Sequence, residues 1–226
     1  MRREESPRTR LLAPLPIRER DPGRRGWAVP PLRPRGLLRS LRDEAVGWCR
    51  GRSWVPRAPL LLGFLWIFVR HLGNPTHQSL FNPLNLGIHE LGHLVFGPFG
   101  RFPGLLGGSL AQCLAPAASA VMFLVAGDFF AIAVCCGWLS TNLFDVATYA
   151  GDARAMTLQL VTPFGGHPIH DWNYLLARLG LLEWDLSLAL LLRSAATASM
   201  GLCLVGGGWL LWQMFRRNPL GSEKVA

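Results

Sequence analysis

One charged residue stands in an otherwise apolar stretch of this chain, and it lies between two histidines. From residue 72 to residue 100 the only Asp, Glu, Lys or Arg is Glu90, within the sequence His89-Glu90-Leu91-Gly92-His93. A carboxylate and two imidazoles are costly to place in an apolar membrane segment, so their presence there points to a function. The stretch therefore predicts a membrane helix that carries a polar site.

The spacing of the two histidines predicts a metal site. Residues four apart lie one turn above each other on the same face of an α-helix, so His89 and His93 can hold one Zn²⁺. Glu90 lies beside them, where it can take a proton from a zinc-bound water as the catalytic base. Two histidines in a membrane helix can also bind haem or hydrogen-bond to neighbouring helices, but neither arrangement requires the glutamate.

The composition predicts an all-α fold, a polytopic membrane bundle. Half of the 226 residues are hydrophobic and 16% are charged, whereas soluble domains carry about a quarter charged residues. We expect five to six transmembrane helices. The sixth depends on whether the region 173–192, which begins with an amphipathic helix at 173–185, also crosses. The five clear apolar spans are 58–72, 79–97, 110–126, 129–149 and 194–215.

The excess positive charge lies entirely in the first 57 residues. They contain 15 arginines and six acidic residues, and their net charge of +9 equals that of the whole chain. This composition predicts a disordered arm over 1–57, with a short amphipathic helix near 36–48. The predicted division of the chain is this arm, a membrane-embedded metallohydrolase domain at 58–217 and a short tail at 218–226. Membrane lipid with anionic headgroups is the expected partner of the arm. No nucleic acid is expected, because no binding motif accompanies the charge.

The positions of the arginines also predict the orientation in the membrane. Under the positive-inside rule the arm places the N-terminus in the cytoplasm, and Arg216 and Arg217 place the C-terminus there too. Two cytoplasmic termini require an even number of crossings, which five spans do not give. Three explanations of the odd number stay open: the amphipathic region also crosses the membrane, one span is re-entrant, or the C-terminus lies outside.

The motif helix resembles that of the site-2-protease class of intramembrane zinc metalloproteases. The resemblance implies that His89 and His93 are zinc ligands, that Glu90 is the catalytic base, and that this helix is the first of a three-helix core. It further implies cleavage of peptide bonds in or near transmembrane segments, with a membrane protein or peptide as substrate, in a bacterial inner (plasma) membrane. The spans that match the core in number and order are 79–97, 110–126 and 129–149.

The third zinc ligand is not fixed by the sequence. A catalytic zinc needs three protein ligands and an open position, and the class supplies an aspartate in Leu-Asp-Gly, which this chain lacks. Asp152 fits the class register best and ranks first. His170 and Asp171 follow closely, as ligands or as groups that orient the ligands, and Asp145 ranks third. Asn142 is a candidate for orienting the substrate.

Two other functions remain open at this point. The first is a non-peptidase hydrolase or a catalytically silent membrane scaffold of the same fold, and the intact Glu90 argues against the silent version. The second is a metal or proton transporter that uses the histidines, which would require paired polar residues on several helices at one depth.

Overall fold

The computed structural model describes residues 37–159 and 169–217, and within these ranges every regular element is helical. This confirms the predicted all-α class. The predictions for residues 1–36 and for the tail at 218–226 lie outside the described residues. The helices are α1 (Leu37–Trp48), α2 (Ala58–Gly73), α3 (Asn82–Phe96), α4 (Arg101–Ala126), α5 (Phe129–Gly151), α6 (Asp171–Leu179) and α7 (Asp185–Arg217).

Three helical segments in the described part of the chain are long and apolar enough to cross a membrane. They are Arg101–Ala126, Phe129–Gly151 and Leu182–Arg217, and α2 is a shorter apolar helix of 16 residues. Their outward surfaces carry large apolar side chains such as Val125 and Val205, which are 86% and 74% exposed. The surface suits an integral membrane protein, but the predicted five to six transmembrane helices are not confirmed.

Helix α5 lies at the centre of the bundle and packs antiparallel to α7. The Ser140 hydroxyl donates to the carbonyl oxygen of Ala196 at 2.8 Å, and the Ser199 hydroxyl donates to that of Cys136 at 2.7 Å. Residue numbers thus rise along α5, from 136 to 140, while those of their partners fall along α7, from 199 to 196. The two helices therefore run in opposite directions. Helix α4 is also antiparallel to α5, because only a tight turn at Gly127 separates them.

Helix α3, which carries the histidine motif, begins halfway along the bundle. Asn85 in its first turn accepts a hydrogen bond at 2.9 Å from the indole of Trp138, near the middle of α5. Just before α3, Phe81 stacks on Phe64 in the middle of α2, with ring centroids 5.6 Å apart. The connection at 74–81 therefore folds back along α2 before α3 starts.

The directions of the helices follow from this fold-back. Helix α3 starts halfway along the bundle and runs in the same direction as α2. Helices α4, α5 and α7 then alternate in direction. The rings of Trp54, before α2, and Phe215, near the end of α7, lie 5.8 Å apart, so both ends of the described chain meet at one end of the bundle. The arginine pattern left this arrangement as one of several possibilities, and the assignment of that end to the cytoplasm stays a prediction.

The folded part of the chain begins before residue 58. The amphipathic helix expected near residues 36–48 is present as α1. Ala45 and Cys49 are buried against Leu210 and Met214 of α7, and the Cys49 thiol donates to the Leu210 carbonyl oxygen at 3.8 Å. The predicted domain boundary at residue 57 thus falls after a segment that already packs on the bundle.

Candidate metal centre

The structure brings the two histidines of α3 together with Asp171, the first residue of α6. The Nε2 atoms of His89 and His93 each lie 3.3 Å from Oδ2 of Asp171. The ligand atoms of the three residues all lie within 4.8 Å of one another, which is the spacing of groups that share a metal ion. His89 and Asp171 are buried, and His93 is half-buried.

Hydrogen bonds to α4 fix which nitrogen of each ring faces this cluster. Nδ1 of His89 lies 2.8 Å from Oε1 of Gln112, and Nδ1 of His93 lies 2.8 Å from the carbonyl oxygen of Gly104. Both oxygens can only accept, so each Nδ1 carries the hydrogen and each neutral ring keeps its lone pair on Nε2. When both rings are neutral, two imidazole lone pairs and the carboxylate of Asp171 therefore point to one place.

Helix α4 approaches the histidines closely because it has glycine where it meets them. A Cβ atom on Gly108 would lie 2.6 Å from Nε2 of His89 and 2.7 Å from Cε1 of His93. One position earlier, a Cβ on Gly107 would lie 2.5 Å from Cβ of Phe96 and 2.8 Å from the carbonyl oxygen of Gly92. The small residues thus let the two backbones meet and leave room for the imidazoles.

Asp171 is held in place through its own main chain and its neighbours. Its backbone N–H donates to the hydroxyl of Tyr149 on α5 at 2.9 Å, and the Trp172 indole donates to Ser109 on α4 at 3.1 Å. His170 is the N-cap of α6, because its Nδ1 accepts from the backbone N–H of Asn173 at 3.2 Å. The Asp171 carboxylate is thereby left free of capping and faces the histidines.

Asp152, the residue ranked first as third ligand, does not belong to this cluster. Its carboxylate accepts hydrogen bonds from the Thr157 hydroxyl at 2.6 Å, from the backbone N–H groups of Thr157 and Leu158 at 3.0 Å, and from His170 at 3.3 Å. Burial raises the pKa of the Asp152 carboxyl, but these hydrogen bonds lower it by more, so its pKa lies below the ordinary value. It lies just past the end of α5, where the chain turns, and ties the following loop to that end.

The other two candidates on α5 also have different partners. Asp145 accepts a hydrogen bond from the amide of Asn85 at 2.9 Å, which joins α5 to the first turn of α3. Asn142 is fully buried, and its amide nitrogen donates to the Trp138 carbonyl oxygen at 3.0 Å. The main-chain oxygen of Asn142 accepts from Gln112 at 3.3 Å, and its role in orienting a substrate stays a prediction.

Glu90 is half-buried and follows His89 directly in α3. Adjacent residues on a helix point about 100° apart, so its carboxylate does not enter the group of three ligand atoms. Within residues 37–159 and 169–217 no hydrogen bond or ion pair occupies this carboxylate.

Sequence reasoning missed three residues of the site: Gly108, Gln112 and Tyr149. Gln112 had a visible signal, since it is the only amide side chain between residues 110 and 126 and must find partners in an apolar helix. Gly108 is one of 25 glycines, and nothing in the sequence distinguishes it. Tyr149 is one of two tyrosines and ends a polar stretch of α5.

No protein-family model, curated protein or solved structure matches this chain. What the site does must therefore be argued from its own geometry.

Proposed function

We propose that His89, His93 and Asp171 hold a catalytic Zn²⁺ and that the chain is an intramembrane zinc metalloendopeptidase. One observation carries the proposal. Three acceptor atoms, two imidazole Nε2 atoms and a carboxylate oxygen, converge within 4.8 Å in a largely buried place with no hydrogen between them when the rings are neutral. Acceptors alone repel one another, and a shared cation removes that repulsion.

The donor set favours zinc among the common metals. Imidazole nitrogen suits zinc, whereas calcium and magnesium prefer sites built from oxygen alone. Two imidazoles and a carboxylate are three protein ligands, the number that leaves a catalytic zinc one open position. Bound Zn²⁺ would supply a Lewis acid that makes water nucleophilic near neutral pH.

The residues around the cluster have separate tasks in the proposed hydrolysis. Glu90 accepts the proton of the attacking water and passes it to the leaving amine. The main chain of Asp171 is held by Tyr149, and the histidines are held by α4, so the ligands keep their geometry while the proton moves. The large exposed apolar side chains around the bundle support a substrate that itself lies in the membrane, a transmembrane or juxtamembrane peptide segment.

Metal analysis of the purified full-length protein tests the centre. We expect about one zinc per chain in the wild type and loss of zinc in His93→Ala and Asp171→Ala. Asp152→Ala is the matched control, because it removes an aspartate of the same loop region that lies outside the cluster. Loss of zinc in Asp152→Ala together with full retention in Asp171→Ala would show that Asp152, and not Asp171, is the third ligand.

Glu90→Gln tests the reaction separately from the metal. The substitution keeps the size of the side chain and removes the base, so the variant should fold and bind zinc normally. We expect its cleavage of transmembrane peptide substrates in bilayers to fall by about 10² to 10⁴, the range for a lost general base. Equal cleavage by both proteins would remove Glu90 from the mechanism. Zinc binding without cleavage of any substrate by the wild type would favour the scaffold or the transporter.

A further inference from the structure

Gln112 is a buried amide that connects α3 to α5 through α4. Its side chain is 5% exposed, its Oε1 lies 2.8 Å from Nδ1 of His89, and its Nε2 donates to the main-chain carbonyl of Asn142 at 3.3 Å. A buried amide is stable only when both of its ends are paired. Here the two partners lie on different helices, so Gln112 spans the interior of the bundle at the level of the metal cluster.

The Asn142 carbonyl decides which way the Gln112 amide points. A main-chain carbonyl oxygen can only accept, so the NH₂ group of Gln112 must face Asn142 and the Oε1 atom must face His89. Oε1 can also only accept, and it therefore requires the hydrogen of His89 on Nδ1. The lone pair of the ring is then on Nε2, directed at the place where Asp171 and His93 converge.

The opposite amide orientation would close the site. The NH₂ group would then face Nδ1 of His89, which would have to accept, and the ring would carry its hydrogen on Nε2. That hydrogen would bond to Oδ2 of Asp171, only 3.3 Å away, and no lone pair of His89 would be left for a cation. The reversed amide would also place its oxygen against the Asn142 oxygen, two buried acceptors with no hydrogen between them.

We propose that Gln112 is a positioning residue that holds His89 as the Nδ1–H tautomer, and that the main-chain carbonyl of Asn142 keeps Gln112 in the required orientation. The main chain of α5 at Asn142 thereby sets the tautomer of a ligand on α3 through Gln112 of α4. His93 needs no such residue, because its Nδ1 faces the carbonyl oxygen of Gly104, which cannot turn round. The inference rests on the proposed function only in naming a metal as the occupant, since the tautomer is a property of the metal-free protein.

Nitrogen NMR of the full-length protein tests the tautomer directly. The protein is labelled with ¹⁵N-histidine, stripped of metal with a chelator and placed in lipid nanodiscs, and His89→Gln identifies the signals of His89. We expect Nδ1–H in the wild type. In Gln112→Leu, which keeps the bulk without either hydrogen bond, we expect a mixture of tautomers or Nε2–H. We also expect a loss of zinc affinity of about 10- to 100-fold, the usual effect of removing a partner of a ligating histidine.

Two further variants separate positioning from packing. Gln112→Glu in its neutral form can donate to Asn142 and accept from His89, so it should keep Nδ1–H and a zinc affinity close to that of the wild type. Ser119→Ala removes a hydroxyl on the same helix that bonds only within α4, and it should change neither measurement. If Gln112→Leu fails to fold, the wild-type spectrum and Gln112→Glu still decide the question.

The outcomes distinguish this inference from the proposed function. Nε2–H at His89 in the wild type, or an unchanged tautomer in a folded Gln112→Leu, overturns the role of Gln112. A change of tautomer to Nε2–H in Gln112→Glu does so as well. Nδ1–H in the wild type that shifts in Gln112→Leu supports the inference even if the wild type binds no zinc, and in that case only the metal proposal fails.

Discussion

Gly108→Ala places one methyl group directly against the two histidines. The added Cβ would lie 2.6 Å from Nε2 of His89, 2.7 Å from its Cε1 and 2.7 Å from Cε1 of His93. Non-bonded carbon atoms prefer about 3.5 to 4.0 Å, so at least one ring must move by about 0.8 Å or α4 must move away. Either movement displaces the atoms that are proposed to hold the metal.

The expected loss of zinc affinity follows from this overlap. Ligand distances in a metal site hold within about 0.2 Å, so a shift of about 0.8 Å is not tolerated. Overpacking a buried position costs about 1 to 3 kcal/mol. If that strain falls on the metal-bound geometry, zinc affinity falls about 5- to 150-fold.

Competition with a zinc-binding dye, combined with thermal unfolding, measures both consequences of Gly108→Ala. Gly107→Ala is the matched control, because its Cβ would meet Phe96 and the main chain of Gly92 but neither imidazole. It should lower stability at least as much and zinc affinity less. Gly87→Ala, with no atom within 4 Å of the new Cβ, should change neither. Wild-type zinc affinity in a folded Gly108→Ala would refute the placement of α4 against the histidines.

Three further predictions test how the bundle supports the site. Removing residues 1–36 should leave thermal stability unchanged, whereas removing residues 1–50 should lower it. The reason is that the longer deletion removes side chains buried against α7. Equal thermal stability of the two truncated proteins would contradict the packing of α1. Asp152→Ala should destabilise the protein above about pH 4, where the wild-type carboxyl is ionised in the folded and the unfolded state. The difference in stability should shrink as the pH falls through the lowered folded-state pKa, and unfolding curves recorded at several pH values measure it. Tyr149→Phe removes the hydroxyl that accepts from the Asp171 N–H, so we expect a stability loss of about 1 to 3 kcal/mol and faster zinc release. Unchanged stability and unchanged zinc release would exclude a role of Tyr149 in supporting Asp171.

The sequence by itself determined the class of fold and the histidine pair of the site. Apolar runs with few charges are a local property, and they correctly predicted helices at most of the observed positions. The spacing of His89 and His93 is fixed by the helical repeat, so their common face followed from the motif alone. The arginine distribution favoured two termini on one side but left other topologies open, and in the structure both ends of the described chain lie at one end of the bundle.

Only the tertiary structure decided which aspartate joins the histidines. Three aspartates follow the motif in the chain, Asp145, Asp152 and Asp171, and each could reach the histidines in a helical bundle. The order of the residues does not show how the chain folds back after α5. The backbone N–H of Asp171, at the start of α6, meets Tyr149 of α5, whereas the Asp152 carboxylate is occupied by Thr157 and Leu158. Long-range contacts of this kind depend on the packing of all helices at once, whereas the helices themselves depend on neighbours within one turn. For the same reason the half-depth start of α3 and the approach of α4 at Gly108 could not be predicted from the order of the residues.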